Sequence, residues 1–157
     1  FKAEIIVRIN ADCPLIDPIV VDKVISAFVS SQPEIDYASN ILEETFPTGM
    51  HVEVFSLAAI EKASEKSNKL DEREHVTPYI YRNPSLFKLL SITNSRDLSM
   101  YRWTVDYEED LEFISQIIEK KIKNNIGESM NQIVDFLEDN TKFLDINSMH
   151  TKKQSLK

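Results

Sequence analysis

The sequence predicts a layered α/β domain, and three observations carry that expectation. Short β-branched runs alternate with longer stretches of helical apolar spacing, which favours strand–loop–helix units over a bundle or a sandwich. At 157 residues with 42% hydrophobic and 9% aromatic content, the chain can bury one core. No repeat, low-complexity tract or linker divides it, so one domain, or most of one, is expected.

Residues 3–9 read as a strand, short and β-branched, of the kind buried in a parallel sheet. The strand ends in the polar loop Asn10-Ala11-Asp12-Cys13, closed by Pro14. A helix follows from Pro18 to Ser30, with Asp17 at its N-cap and Val21, Val24, Ile25 and Phe28 on one face. Residues 35–40 suit a short strand, 43–50 a loop holding Pro47 and Gly49, and 52–55 another strand. Ser56 then caps a helix to about Ser67, with Ala59, Ile60 and Ala63 inward. Asp71 and Glu74 have capping-box spacing and open a helix through Tyr81 that Pro78 must start late or bend. Further strands are expected at 87–93 and 102–105. The clearest helix spans 106–123, with Leu111, Ile114, Ile117, Ile118 and Ile122 as its periodic face. Its lysines 120, 121 and 123 suit the negative end of the macrodipole. A last helix is expected at about 128–140, before a polar tail.

Composition narrows the function classes. With 18 Lys+Arg against 26 Asp+Glu the formal net charge is −8, which argues against nucleic acid or an anionic membrane as partner. No apolar run approaches the roughly 20 residues of a membrane span. Cys13 is the single cysteine and cannot form an internal disulfide, which suits a reducing compartment or no redox requirement, and a cytoplasmic location is expected. Average usage would give about 11 glycines, yet only Gly49 and Gly127 are present. Neither a GxGxxG turn nor a GxxxxGKS loop can be written with two glycines. The chain begins without Met and enters the apolar run Ile5-Ile6-Val7 almost at once, which reads as a fragment lacking its N-terminal part.

Ligands of open α/β sheets collect beyond the carboxyl ends of strands. Two segments here end an expected strand in aspartate, at Asp12 and at Asp106. If both strands run parallel, the two carboxylates converge on one rim. Magnesium is commonly held by one or two carboxylates together with substrate phosphates, so Asp12 with Asp106 is a candidate Mg²⁺–phosphate site. The competing reading makes each a loop residue or a helix cap, and Asp106 stands where a cap would.

Five ordered segments then resemble one family. Arg8-Ile9-Asn10-Ala11-Asp12-Cys13-Pro14-Leu15-Ile16-Asp17-Pro18 is similar to a segment of the sugar cytidylyltransferases of the spore coat polysaccharide biosynthesis protein F type, relatives of the CMP-Kdo and CMP-sialic acid synthetases. It is followed in family order by Asp36-Tyr37-Ala38-Ser39-Asn40 and by Phe46-Pro47-Thr48-Gly49-Met50-His51-Val52-Glu53-Val54-Phe55. Arg73-Glu74-His75-Val76-Thr77-Pro78-Tyr79-Ile80 and Arg102-Trp103-Thr104-Val105-Asp106, leading into Glu109-Asp110-Leu111-Glu112, complete the set.

The resemblance implies a nucleotide-diphospho-sugar-transferase fold, Rossmann-like and three-layered, with a mixed sheet flanked by helices. It implies Mg²⁺-dependent transfer of a cytidylyl group from CTP to a sugar, often acidic, for surface polysaccharide, spore coat or lipopolysaccharide. Asp12 and Asp106 become the metal ligands and catalytic residues. Asn40, Gly49, His51, Glu53, Arg73, Glu74 and His75 become substrate-binding candidates. The family's basic nucleotide-binding loop lies before anything present, so the chain is expected to lack that unit. Residues 1–125 would form the C-terminal two-thirds of the domain, 126–142 an added helix packed on it, and 143–157 a flexible tail. The partner set leaves room for a homodimer.

His51 stands where the family usually has aspartate, and Asn10 where it has threonine. His51 motivates the alternative, a non-catalytic nucleotide-sugar-binding or scaffolding domain of the same fold. For His75 a substrate contact and a plain helical hydrogen bond weigh equally, and for Ser39 and Asn40 so do sugar contacts and a turn. Cys13 lacks a catalytic partner and reads as a small buried thiol. Cys13, His51 and His75 lack zinc-site spacing, and Trp103 reads as core or pocket wall.

Overall fold

The computed structural model describes residues 3–124, 127 and 129–151, and it divides into two compact units. The first comprises Phe1–Ile9, Asp22–Glu43 and Val52–Thr93, and the second Asn10–Val21, Glu44–His51 and Asn94–Lys157.

The first unit is built on a four-stranded mixed sheet in the order β1 (Ile5–Arg8), β3 (Glu53–Ser56), β2 (Tyr37–Ser39), β4 (Leu89–Ser91). β1 and β2 both run antiparallel to β3, and β2 and β4 are parallel. The parallel setting expected for β1 is therefore corrected: it pairs antiparallel with β3, at the end of the sheet among the described residues, with Ile6 turned toward the core and Ile5 and Val7 exposed. A short β-branched run does not reveal its neighbours, because edge and central strands share the same residue types.

Helix α2 (Leu57–Lys66) covers the sheet with the small residues Ala59 and Ala63, which pack with Tyr37, Phe55, Ile80 and Phe87 in one core cluster. Ser56 caps it as expected, accepting from the Ala59 N–H at 3.1 Å. The single helix expected through Tyr81 is instead two, α3 (Leu70–Glu74) and α4 (Pro78–Tyr81). Asp71 lies inside α3 and pairs with Arg82, so the N-cap position falls to Lys69 instead. The break falls at Val76, whose φ is 70°, a conformation a β-branched residue rarely adopts. Pro78, having no N–H to donate, restarts the helix at its first position.

In the second unit Asp17 performs the expected capping of α1 (Pro18–Ser30), its Oδ1 accepting from Ile19 N–H at 2.8 Å. Its Oδ2 accepts from Met130 N–H at 2.7 Å, at the start of α6 (Met130–Asp139). A full capping box between Ser129 and Gln132 opens α6. The expected strand at 102–105 is absent. Arg102 makes only an isolated parallel bridge to Thr48, because Gly49 ends the partner stretch with φ 102°. A Cβ on Gly49 would lie 2.6 Å from the Trp103 carbonyl carbon, so the two backbones meet only at glycine.

Helix α5 (Glu108–Asn124) buries Asp110, Phe113, Ile114 and Ile117, and leaves Leu111, Ile118 and Ile122 outward. The core face is rotated about a quarter turn from the expected one. Of the region expected as a flexible tail, Phe143 closes a 3₁₀ turn that starts at Thr141, a second turn spans Ser148–His150, and Phe143 and Asn147 are buried. Residues 152–157 of that expectation lie outside the described ones. No helix among the described residues is long and apolar enough to cross a membrane.

Candidate active site

Within the second unit the loop after β1 lies beside residues 104–106. The Val105 N–H donates to the Asp12 carbonyl at 3.0 Å. The Thr104 hydroxyl lies 3.1 Å from Asp12 Oδ2 and 3.3 Å from the same carbonyl. Asp12 is thus brought to the segment that ends in Asp106, though not by the two parallel strands that motivated the idea. Asp12 is half-buried and Asp106 exposed.

Asp106 does not cap α5. Its Oδ2 accepts from Arg102 Nη2 at 2.6 Å, and the same guanidinium grips the buried Asp110, with Nε to Oδ1 at 2.9 Å and Nη2 to Oδ2 at 2.7 Å. Asn147 adds a donor to Asp110 Oδ1 at 2.9 Å, and the N–H groups of Asp106 and Tyr107 donate to Oδ2 at 3.2 Å. Burial alone would raise the Asp110 carboxyl, but these donors prevail and hold it down at about 2. Arg102, Asp110 and Asn147 thereby fix the backbone on which Asp106 stands.

Cys13 is buried, with Sγ 3.6 Å from Asp12 Oδ1. Burial first, then the charges of Asp12 and Asp106, push its thiol up to about 12. It stays protonated and is no nucleophile at neutral pH. Both aspartates act on this one thiol, which places their charges in the same neighbourhood. Gly49 is held by its approach to the Trp103 backbone, and His51 is half-buried.

The first unit contains a second polar centre. Glu53, nearly inaccessible, receives Tyr37 OH at 2.6 Å and Thr77 Oγ1 at 2.5 Å on Oε1, and Arg8 on Oε2. Its donors come from β1, β2 and the turn before α4, so its carboxylate is committed to the protein. Burial, with the Glu53 charge behind it, raises the Tyr37 phenol well above its ordinary value. Asn40 Oδ1 accepts from the Val52 N–H at 2.8 Å, and Ser39 Oγ donates to the Val52 carbonyl at 2.6 Å. Arg73, Glu74 and His75 are exposed, and Arg73 lines a cavity of about 180 Å³ with Ile60, Ser64, Ser67, Glu72 and Val76.

Sequence reading singled out neither Arg102 with Asn147 nor Tyr37 with Thr77. Partners this far apart in the chain leave no local spacing to detect. Among the described residues no three His, Cys, Asp or Glu side chains are grouped to hold a metal ion. A pair of carboxylates sharing an ion with substrate phosphates is a different arrangement.

The chain matches a family model described as cytidylyltransferase over residues 1–143. It is 33% identical over 150 residues to an uncharacterized protein, MJ1063, of Methanocaldococcus jannaschii, covering 94% of this chain and 59% of that protein. It is 27% identical over 125 residues to the spore coat polysaccharide biosynthesis protein SpsF of Bacillus subtilis, covering 76% and 49%. The solved structure of a cytidylyltransferase from Leptospira borgpetersenii superposes with a TM-score of 0.84 at 30% identity, over 99% of this chain and 62% of that one. The chain thus spans about half to three-fifths of the length of these proteins.

Proposed function

Because the chain belongs to the cytidylyltransferase family, we propose that its protein transfers a cytidylyl group from CTP to a sugar, an acidic one, for surface-polysaccharide biosynthesis. A sugar hydroxyl oxygen bonds to the α-phosphorus, the bond from that phosphorus to the bridging oxygen breaks, and pyrophosphate leaves with the hydroxyl proton released. The observation that carries this reading is the seating of Asp12 against Thr104 and Val105, next to Asp106.

Asp12 and Asp106 would hold Mg²⁺, and the donor set fits: both are hard carboxylate oxygens, and two protein carboxylates are a usual complement for this ion. When bound, the ion supplies positive charge against the phosphates. The chain's own residues do the holding. Thr104 fixes Asp12, Arg102 fixes Asp106, and protonated Cys13 adds no third negative charge. For the sugar we assign Arg73, Glu74 and His75 of the first unit as exposed contact candidates, and Gly49 and His51 of the Phe46-to-Phe55 segment in the second. Asn40 and Glu53, committed to protein donors, act as positioning residues.

The test is pyrophosphate release from CTP with a panel of acidic sugars, using the protein expressed from its complete reading frame. Asp12→Asn and Asp106→Asn should each lower kcat by about 10²-fold or more with the circular dichroism spectrum unchanged. Near wild-type turnover in either variant overturns the metal assignment. CTP binding without turnover by the wild type, on every sugar, favours a non-catalytic binding domain instead.

A further inference from the structure

The turn Ser148–His150 and the residue before it reach the segment that carries Asp106. Buried Asn147 donates through Nδ2 to Asp110 Oδ1 at 2.9 Å and to the Arg102 carbonyl at 3.1 Å. His150 lays its ring on Tyr107, with centroids 4.0 Å apart and planes tilted by 10°. Its Nε2 lies 3.1 Å from Glu109 Oε2, so the ring is held at its edge as well as its face. The four residues contacted, 102, 107, 109 and 110, bracket Asp106 on both sides. Asn147 and His150 lie beyond residue 143, where the match to the family model ends.

Asp106 depends on that support because it stands outside the helix, just before α5, with its side chain 48% exposed. Its Oδ2 meets Arg102, and the Arg102 guanidinium carbon lies 5.6 Å from the centroid of the Tyr107 ring. Tyr107 thus packs against the group that orients Asp106 and is bonded to Asp106 through the chain. A tyrosine ring in water samples several rotamers. The His150 ring restricts it, through a stacked contact worth more than the area it covers. A carboxylate held in one orientation before an ion arrives binds it more tightly than one the ion must order.

We infer that His150 is a positioning residue for Asp106: stacked on Tyr107 and tied to Glu109, it presets the Asp106 carboxylate for the divalent cation. The role rests on Asp106 being a ligand of that ion. The test reads ion binding without turnover. Mn²⁺–CTP, with no sugar present, is titrated with the protein expressed from its complete reading frame, and water-proton relaxation gives the dissociation constant. Asp106→Asn should abolish binding of the ion. His150→Ala should weaken it about 10-fold, and His150→Phe, which keeps a ring to lay on Tyr107, should return to within about threefold of wild type. In a Tyr107→Ala background His150→Ala should add less than about twofold, because the residue it acts through is gone. A plain anchor for the turn would lower the Tm of His150→Ala and leave the dissociation constant alone, and that result overturns the inference. If Asp106→Asn loses the ion and His150→Ala does not, only the role of His150 falls. If Asp106→Asn binds Mn²⁺–CTP as the wild type does, or the wild type does not bind it, the metal assignment falls and the inference with it.

Discussion

Asp110 offers the sharpest test of how the second unit holds Asp106. Changing Asp110 to Asn keeps the volume and removes the charge. Arg102, whose side chain is 13% exposed, then loses its bidentate partner and keeps only the solvent-facing Asp106. The new amide also presents hydrogens where Arg102 or the N–H groups of Asp106 and Tyr107 need an acceptor. The carboxyl's fall from 3.8 to about 2 corresponds to roughly 2 kcal/mol of stability. Stranding the buried guanidinium adds to this, and removal of one partner from a buried pair typically costs about 3–5 kcal/mol in total.

The pH dependence has a definite sign. A carboxyl held below its unfolded value stabilises the fold fully above about 3.8 and loses that contribution as pH falls through about 2. Urea unfolding at pH 7 should show the variant destabilised by about 3 kcal/mol or more, and the gap should narrow by about 2 kcal/mol between pH 5 and pH 2. A variant within 0.5 kcal/mol of wild type at pH 7, on the order of a surface change, would refute the reasoning. So would a gap that does not move with pH.

Gly49→Ala combines a positive φ with a Cβ 2.6 Å from the Trp103 backbone. Thermal or urea unfolding should register a loss of roughly 2–4 kcal/mol. Cys13, its thiol raised from 9.0 to about 12, should react with a maleimide at pH 8 about 10³-fold more slowly in the native protein than after denaturation. Labelling at the denatured rate would contradict its burial beside Asp12.

Features whose causes lie within a few residues were legible in the sequence. Asp17 and Ser56 cap their helices because an N-cap needs only its own oxygen and an N–H two or three residues on. Long-range choices were not legible. β1 carries the residues of a buried strand, but its antiparallel partner β3 begins 45 residues after it ends, and nothing in its own residue types states that direction. α5 has apolar residues over nearly half its circumference, and which arc turns inward depends on the packing of its own unit around Phe113 and Ile117, not on period. At the site, the short motifs located Asp12 and Asp106. The residues that fix them, Thr104 and the Arg102–Asp110–Asn147 group, are joined across tens of residues and have no signature at any spacing.

The double duty of Asp17 has a consequence for how the chain is made. Its Oδ1 finds Ile19 as soon as α1 begins, but its Oδ2 partner, Met130, lies 113 residues further on. At a synthesis rate of about 5–20 residues per second, half of this carboxylate waits roughly 6–23 s for the backbone N–H it will hold. Until then the loop carrying Asp12 and Cys13 has one end anchored by a cap that is only half engaged. On the ribosome, the second unit's earliest segment is completed by one of its last.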